Sequence, residues 1–62
     1  GAPNLILAHN HPSGNPKPSR QDDDLTMRLQ KACHTMALRL LDHIVIGDDT
    51  YYSYADEGRM SG

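Results

Sequence analysis

The chain has 62 residues, 37% of them hydrophobic, with three tyrosines and neither Phe nor Trp. A domain this small buries only about 60% of the surface its unfolded chain exposes, so a disulfide, a metal or a partner surface usually completes it, and the single cysteine, Cys33, excludes an internal disulfide framework. Six Lys and Arg against eight Asp and Glu give a net charge of −2 with no basic block, which argues against nucleic-acid binding by phosphate neutralisation alone.

No apolar run approaches the roughly 20 residues of a membrane span. Gly1-Ala2-Pro3-Asn4 lacks the basic region of a signal peptide, and a lone free cysteine fits a reducing cytosol. The expectation is a cytoplasmic protein.

Leu5-Ile6-Leu7-Ala8 is a short apolar run that periodicity cannot assign. The segment after it, from His9 to Ser19, holds three prolines and a glycine and cannot be helical. Residues 4–9 are therefore expected to form a strand, buried on both faces, that ends in a shaped loop.

Ser19 is a good helix N-cap, with Asp22 in the capping-box position. Asp22, Asp23 and Asp24 crowd the first turn, where the helix dipole favours negative charge. Leu25, Leu29, Cys33, Met36 and Leu40 recur at helical spacing and predict an amphipathic helix from about Arg20 to about Ala37, with this stripe in the core. His34 falls on the polar face.

His43-Ile44-Val45-Ile46-Gly47 is β-branched and predicts a second strand, with Asp42 and His43 forming a structural, hydrogen-bonded strand entry. Asp48-Asp49-Thr50 reads as a turn, and Tyr51–Tyr54 as a third strand, hairpin-paired to the second, whose tyrosines pack the hairpin. The polar tail from Ala55 to Gly62 is expected to fray. The order is β-α-β-β, which implies an α/β fold with a mixed sheet.

The chemistry concentrates around His9 and His11. Two residues apart in an extended segment, both imidazoles project to one side. Pro12 stops the strand, so they sit at its C-terminal end, where α/β sheets collect ligand sites. Asp22 lies in the first turn of the following helix. Two imidazoles and one carboxylate are three N/O ligands, the set of a metal site that keeps a position open for water rather than of a closed structural site. Cys33 lies too far along the helix to supply a fourth. An H-x-H tripeptide alone is a weak signal, and the carboxylate at the start of the next helix strengthens it.

At this point the residues carry a resemblance. His9-Asn10-His11-Pro12, six residues, Ser19, two residues and Asp22 resemble the JAMM motif of MPN-domain metalloproteins. The wording His9-Asn10-His11-Pro12-Ser13-Gly14-Asn15-Pro16 with Pro18-Ser19 is similar to the bacterial RadC-like branch, as are Leu41–Gly47 and Tyr51–Gly58. The resemblance covers nearly the whole chain. It implies a cytidine-deaminase-like (MPN/JAMM) fold holding one zinc ion through His9, His11 and Asp22. Ser19 would position the water or the developing oxyanion. The implied reaction is hydrolysis of a peptide or isopeptide amide by zinc-activated water. The branch also carries a DNA-repair label.

One departure stands out. The family's catalytic glutamate precedes the H-x-H, whereas here no acidic residue precedes Asp22 and the one glutamate, Glu57, lies far downstream. The chain is therefore expected to be the zinc-binding part of a single, larger RadC-like domain, inactive by itself, with its apolar first strand meeting the N-terminal half or an oligomeric contact. Ala37 stands where relatives tend to have glycine, which would extend the helix slightly. The alternatives are a non-enzymatic module binding DNA or a protein, and a purely structural pseudo-domain.

Overall fold

The structure is a computed structural model and describes residues 3–60. Four elements follow one another: β1 (Asn4–Asn10), α1 (Arg20–Thr35), β2 (Arg39–Ile46) and β3 (Tyr51–Ser53). β1 and β2 are parallel and joined through α1, and β3 returns antiparallel to β2 in a sheet of order β1-β2-β3. The α/β class and the mixed sheet are as the pattern implied. The parallel register sets Leu7 beside His43 and His9 beside Val45. It slips once, after Leu5, where β2 skips Leu41.

Ser19 caps α1 as its position predicts. Its hydroxyl accepts from the Asp22 N–H at 3.2 Å, and the Asp22 carboxylate accepts from the Ser19 N–H at 2.8 Å. Both halves of the capping box are made, satisfying donors that a helix start otherwise leaves open. The buried face differs from the expected stripe. Asp22, Thr26 and Cys33 face inward, Leu25 is exposed, and Met36 is 68% exposed beyond the last helical turn. The capping carboxylate and the Thr26 hydroxyl are bonded on the sheet side, and they turn the helix so that a partly polar line meets the sheet.

The helix ends at Thr35 instead of continuing through Ala37. Ala37 takes the left-handed conformation (φ 57°), its N–H donates to the His34 carbonyl at 3.2 Å, and the Leu38 N–H reaches the Cys33 carbonyl at 2.7 Å. This is a Schellman stop, normally given to glycine. Hydrogen bonding closes the helix here despite the Cβ of alanine.

β2 begins at Arg39 rather than His43, because pairing with Asn4 and Leu5 recruits Arg39 and Leu40 into the sheet. Leu40, expected on the helix stripe, is thus a strand residue. β1 is not buried on both faces. From Ile6 to Asn10 exposed and half-buried residues alternate, and Leu7 and His9 lie on the half-covered side. Ile6 is 60% and Leu5 43% exposed. One helix covers one face of a sheet, and among the described residues nothing packs over the other. The apolar exposure expected along the first strand is therefore present.

The tail does not fray over its described part, and residues 61 and 62 lie outside the described residues. Turns after β3 bring the Arg59 N–H to the Tyr54 carbonyl at 2.8 Å. The Arg59 guanidinium lies 4.8 Å from the centre of the Tyr54 ring and pairs with Asp23 at 2.8 Å. Tyr54 follows β3 rather than ending it, and it is buried, with its hydroxyl donating to Asp23 at 2.7 Å. Tyr52 meets it edge-on at 5.2 Å, the tyrosine packing the sequence suggested. Asp42 and His43 are hydrogen-bonded as expected, but inside β2 rather than at its entry: Asp42 accepts from the His43 and Ala55 N–H groups and from the Ser53 hydroxyl. Among the described residues the buried set is Cys33, Val45 and Tyr54 with four polar residues, Asp22, Thr26, His43 and Ser53. Burying Val45 fully contributes about 1.5–3 kcal/mol, and the polar four are tolerated because each is hydrogen-bonded.

Two outcomes follow. Ala37→Gly removes the Cβ from a left-handed position and is expected to raise stability by about 1 kcal/mol, read as a higher urea midpoint at unchanged slope; a lower midpoint would refute the assigned stop. Burial, then the bond to Asp23, raises the Tyr54 phenol above the ordinary tyrosine value of 10.0. The folded state keeps this proton where the unfolded chain loses it. The resulting stability is complete below pH 10 and is lost as pH rises beyond it. Tyr54→Phe is expected to remove that alkaline loss, as followed by circular dichroism against pH.

Candidate metal centre

The C-terminal end of β1 presents two imidazoles to one side, with ring centres 5.1 Å apart. The loop that follows is held against β2: the His11 N–H donates to the Ile46 carbonyl at 2.9 Å, and the Asp48 N–H donates to the Gly14 carbonyl at 3.0 Å. Gly14 has a φ of 81°, and a Cβ there would collide with the Asp48 carboxylate. Gly47 has no room for a side chain against the Gly14 carbonyl and Pro16. Two glycines therefore let the proline-rich loop lie close to the sheet, which returns the chain to Ser19 and brings the first turn of α1 over the histidines.

The carboxylate of Asp22 stands between the two rings. His9 Nε2 is 3.2 Å from Asp22 Oδ1, and His11 Nε2 is 2.9 Å from Asp22 Oδ2. The three ligand atoms lie within 4.8 Å of one another. Asp22 is buried and His9 and His11 are half-buried. Burial alone would raise the Asp22 carboxyl; hydrogen bonds from the Ser19 backbone and side chain and from His11, together with the charge of His9, outweigh it and hold the group below the ordinary carboxylate range. The donor set is thus two imidazole nitrogens and an ionised carboxylate, borderline donors suited to zinc and similar first-row ions. His11 Nδ1 bonds the Asn15 carbonyl at 2.9 Å, which orients the ring with Nε2 toward Asp22. The His9–His11–Asp22 cluster fits a metal ion by donor chemistry and by spacing.

Ser19 is exposed at the head of α1, and its hydroxyl oxygen is engaged by the Asp22 N–H. Cys33 is buried away from the cluster as a free thiol. Glu57 is exposed in the tail, its N–H donating to the Ser53 carbonyl at 3.1 Å, and it does not join the cluster. His34 is exposed on α1.

Two residues that carry no motif do reach the site. His43 has no exposed surface; its Nε2 lies 3.0 Å from His9 Nδ1 and its Nδ1 lies 2.5 Å from Thr26 Oγ1. Tyr54 stacks on its ring at 4.9 Å and 4°. Burial, then the neighbouring His9, lowers the His43 pKa. The one available signal was period two in β2, which places His43 on the side of Val45.

This geometry sits inside a wider similarity. A model of the RadC-like JAB domain matches residues 1–59. Among relatives, a UPF0758 protein of Porphyromonas gingivalis is 59% identical over 57 residues, 90% of this chain and 25% of its own length. Another from Streptococcus gordonii is 52% identical over 56 residues, again 90% of this chain and 25% of the relative, and one from Pasteurella multocida is 56% identical over 52 residues, 84% of this chain and 23% of the relative. The chain spans about a quarter of the length of these relatives. With the histidine pair, the capping aspartate and the buried His43 all inside the matched span, the chain belongs to the RadC-like JAB domain family.

Proposed function

We propose that the chain is the metal-holding portion of a zinc-dependent hydrolase acting on amide bonds of the peptide or isopeptide kind. The observation that carries this reading is the convergence of His9 Nε2, His11 Nε2 and the Asp22 carboxylate within 4.8 Å, with His9 the most open of the three side chains. His9, His11 and Asp22 would hold the zinc. Bound there, zinc supplies a water whose pKa falls toward about 7 and polarises a carbonyl.

The chain's own residues divide the remaining work. The Asp22 carboxylate, kept ionised by Ser19 and His11, is ready to bind a cation at neutral pH. The Ser19 hydroxyl accepts from the Asp22 N–H, and its single hydrogen, which otherwise serves the Asp22 carboxylate, would turn to an oxyanion forming at the substrate carbonyl. No carboxylate besides Asp22 belongs to the cluster among the described residues, so the general base is assigned to the three quarters of the relatives that the chain does not span. A cytoplasmic setting accords with the free thiol of Cys33. Among the described residues no helix is long and apolar enough to cross a membrane. Binding to DNA finds less support, since basic residues are few and Arg59 is paired to Asp23.

Zinc titration with a competing chelator is expected to give one ion per chain. His9→Ala and Asp22→Ala are each expected to weaken binding by roughly a hundredfold or more, beyond the loss typical of a supporting residue. Absence of zinc binding by the unaltered protein would overturn the reading. Ser19 is tested with glycine, which keeps N-cap stability to within a few tenths of a kcal/mol. Ser19→Gly is expected to leave one zinc ion bound per chain and to lower turnover of an isopeptide substrate by the zinc-saturated full-length protein; equal turnover would remove Ser19 from the chemistry.

A further inference from the structure

We propose that His43, anchored by Thr26, is a positioning residue that fixes the proton of His9 on Nδ1 and so presents the bare Nε2 of His9 to the metal. This inference rests on the metal reading above, and it follows from counting hydrogens along one buried chain of contacts.

The count begins at the helix. Thr26 Oγ1 has one hydrogen, and it is directed to the Asp22 carbonyl, 2.8 Å away in the preceding helical turn. A carbonyl can only accept, so toward His43 the Thr26 oxygen must act as acceptor. His43 Nδ1, 2.5 Å from that oxygen, therefore carries the hydrogen. The ring has no exposed surface and no carboxylate bonded to either nitrogen; an imidazolium there would be an unpaired buried charge, so the ring is neutral with a single N–H. Its Nε2 is then an acceptor. The partner of that acceptor is His9 Nδ1 at 3.0 Å, which must be the donor. With Nδ1 committed as donor to His43, Nε2 is the His9 nitrogen left to face Asp22 Oδ1 at 3.2 Å, and it is the atom a metal would take in place of a proton.

Both histidines of the cluster thus hold a hydrogen on Nδ1, by different routes. His11 uses a backbone carbonyl, that of Asn15. His9 uses a second histidine, whose own tautomer is dictated by a threonine and whose plane is held by the stacked Tyr54 ring. Without the Thr26 oxygen nothing dictates which nitrogen of His43 bears the hydrogen. With that hydrogen on Nε2, His43 would donate to His9 Nδ1 and drive the His9 hydrogen onto the ligand nitrogen. Supporting groups of this kind change metal affinity by about 10–100-fold.

The test uses the full chain and two readouts. Long-range nitrogen–proton correlation NMR on the metal-free protein is expected to show His9 and His43 both protonated on Nδ1. Thr26→Val keeps the shape of the side chain and deletes the oxygen. It is expected to shift His9 toward the Nε2–H form, weaken zinc binding about 10–100-fold and alter the visible spectrum of bound cobalt(II), and Thr26→Ser is expected to restore all three. A wild-type His9 without a hydrogen on Nδ1, a His43 with its hydrogen on Nε2, or a folded Thr26→Val chain with unchanged zinc affinity and cobalt spectrum, would overturn the proposal. Should Thr26→Val fail to fold, the wild-type tautomers decide alone. Failure of the unaltered chain to bind zinc overturns the metal reading instead, and the NMR tautomers distinguish that failure from this one.

Discussion

A single imidazole without contact to solvent ties this molecule together. His43 belongs to β2, bonds His9 of β1 and Thr26 of α1, and lies flat against Tyr54 beyond β3. A buried polar group left without a partner costs about 1–3 kcal/mol, so each ring nitrogen demands that a neighbouring element be in place. In a chain with only three buried apolar residues among those described, that demand organises the interior as much as hydrophobic contact does. The rotation of α1 is its visible result: the helix offers Asp22 and Thr26 to the sheet and leaves Leu25 in solvent.

Asp22 is the second shared point. The same carboxylate completes the cap of α1 and stands between His9 and His11. Helix initiation and site assembly therefore use one side chain, and an ion held by the cluster would stabilise the start of the helix along with the loop that leads to it, as metal binding to a folded site generally adds to folding free energy. The glycines at 14 and 47 serve the same end from the opposite direction, since they let the proline-rich loop lie against the sheet and deliver Ser19 to its place.

The legible parts of the sequence were the local ones. His9 and His11 share a side because strands repeat every two residues, and Ser19 with Asp22 reads as a capping box within four residues of chain. The order of elements was equally plain from prolines, caps and β-branched runs. What stayed hidden depends on pairing across the chain. His43 is 34 residues from His9, and only the parallel register brings them together. The true buried face of α1 depends on that pairing as well, so a periodic stripe ending in Met36 pointed the wrong way. Arg59 looked like part of a loose tail because nothing local marks its attachment to Asp23 and Tyr54. Ala37 concealed a helix stop that hydrogen bonds to Cys33 and His34 supply.

That stop has a consequence for how the molecule can vary. Ala37 and Leu38 are bonded back to α1, and the next residue, Arg39, already donates to the Pro3 carbonyl at the start of the sheet. The passage from helix to β2 holds no slack to absorb a change in length. Because side chains alternate across a strand, gaining or losing one residue there would reverse every side chain of β2. Asp42 or Ile44 would then stand where His43 now supports His9. Insertions and deletions are excluded from this short link by the chemistry of a site at the other end of the sheet, while the residues within it remain free to change in kind.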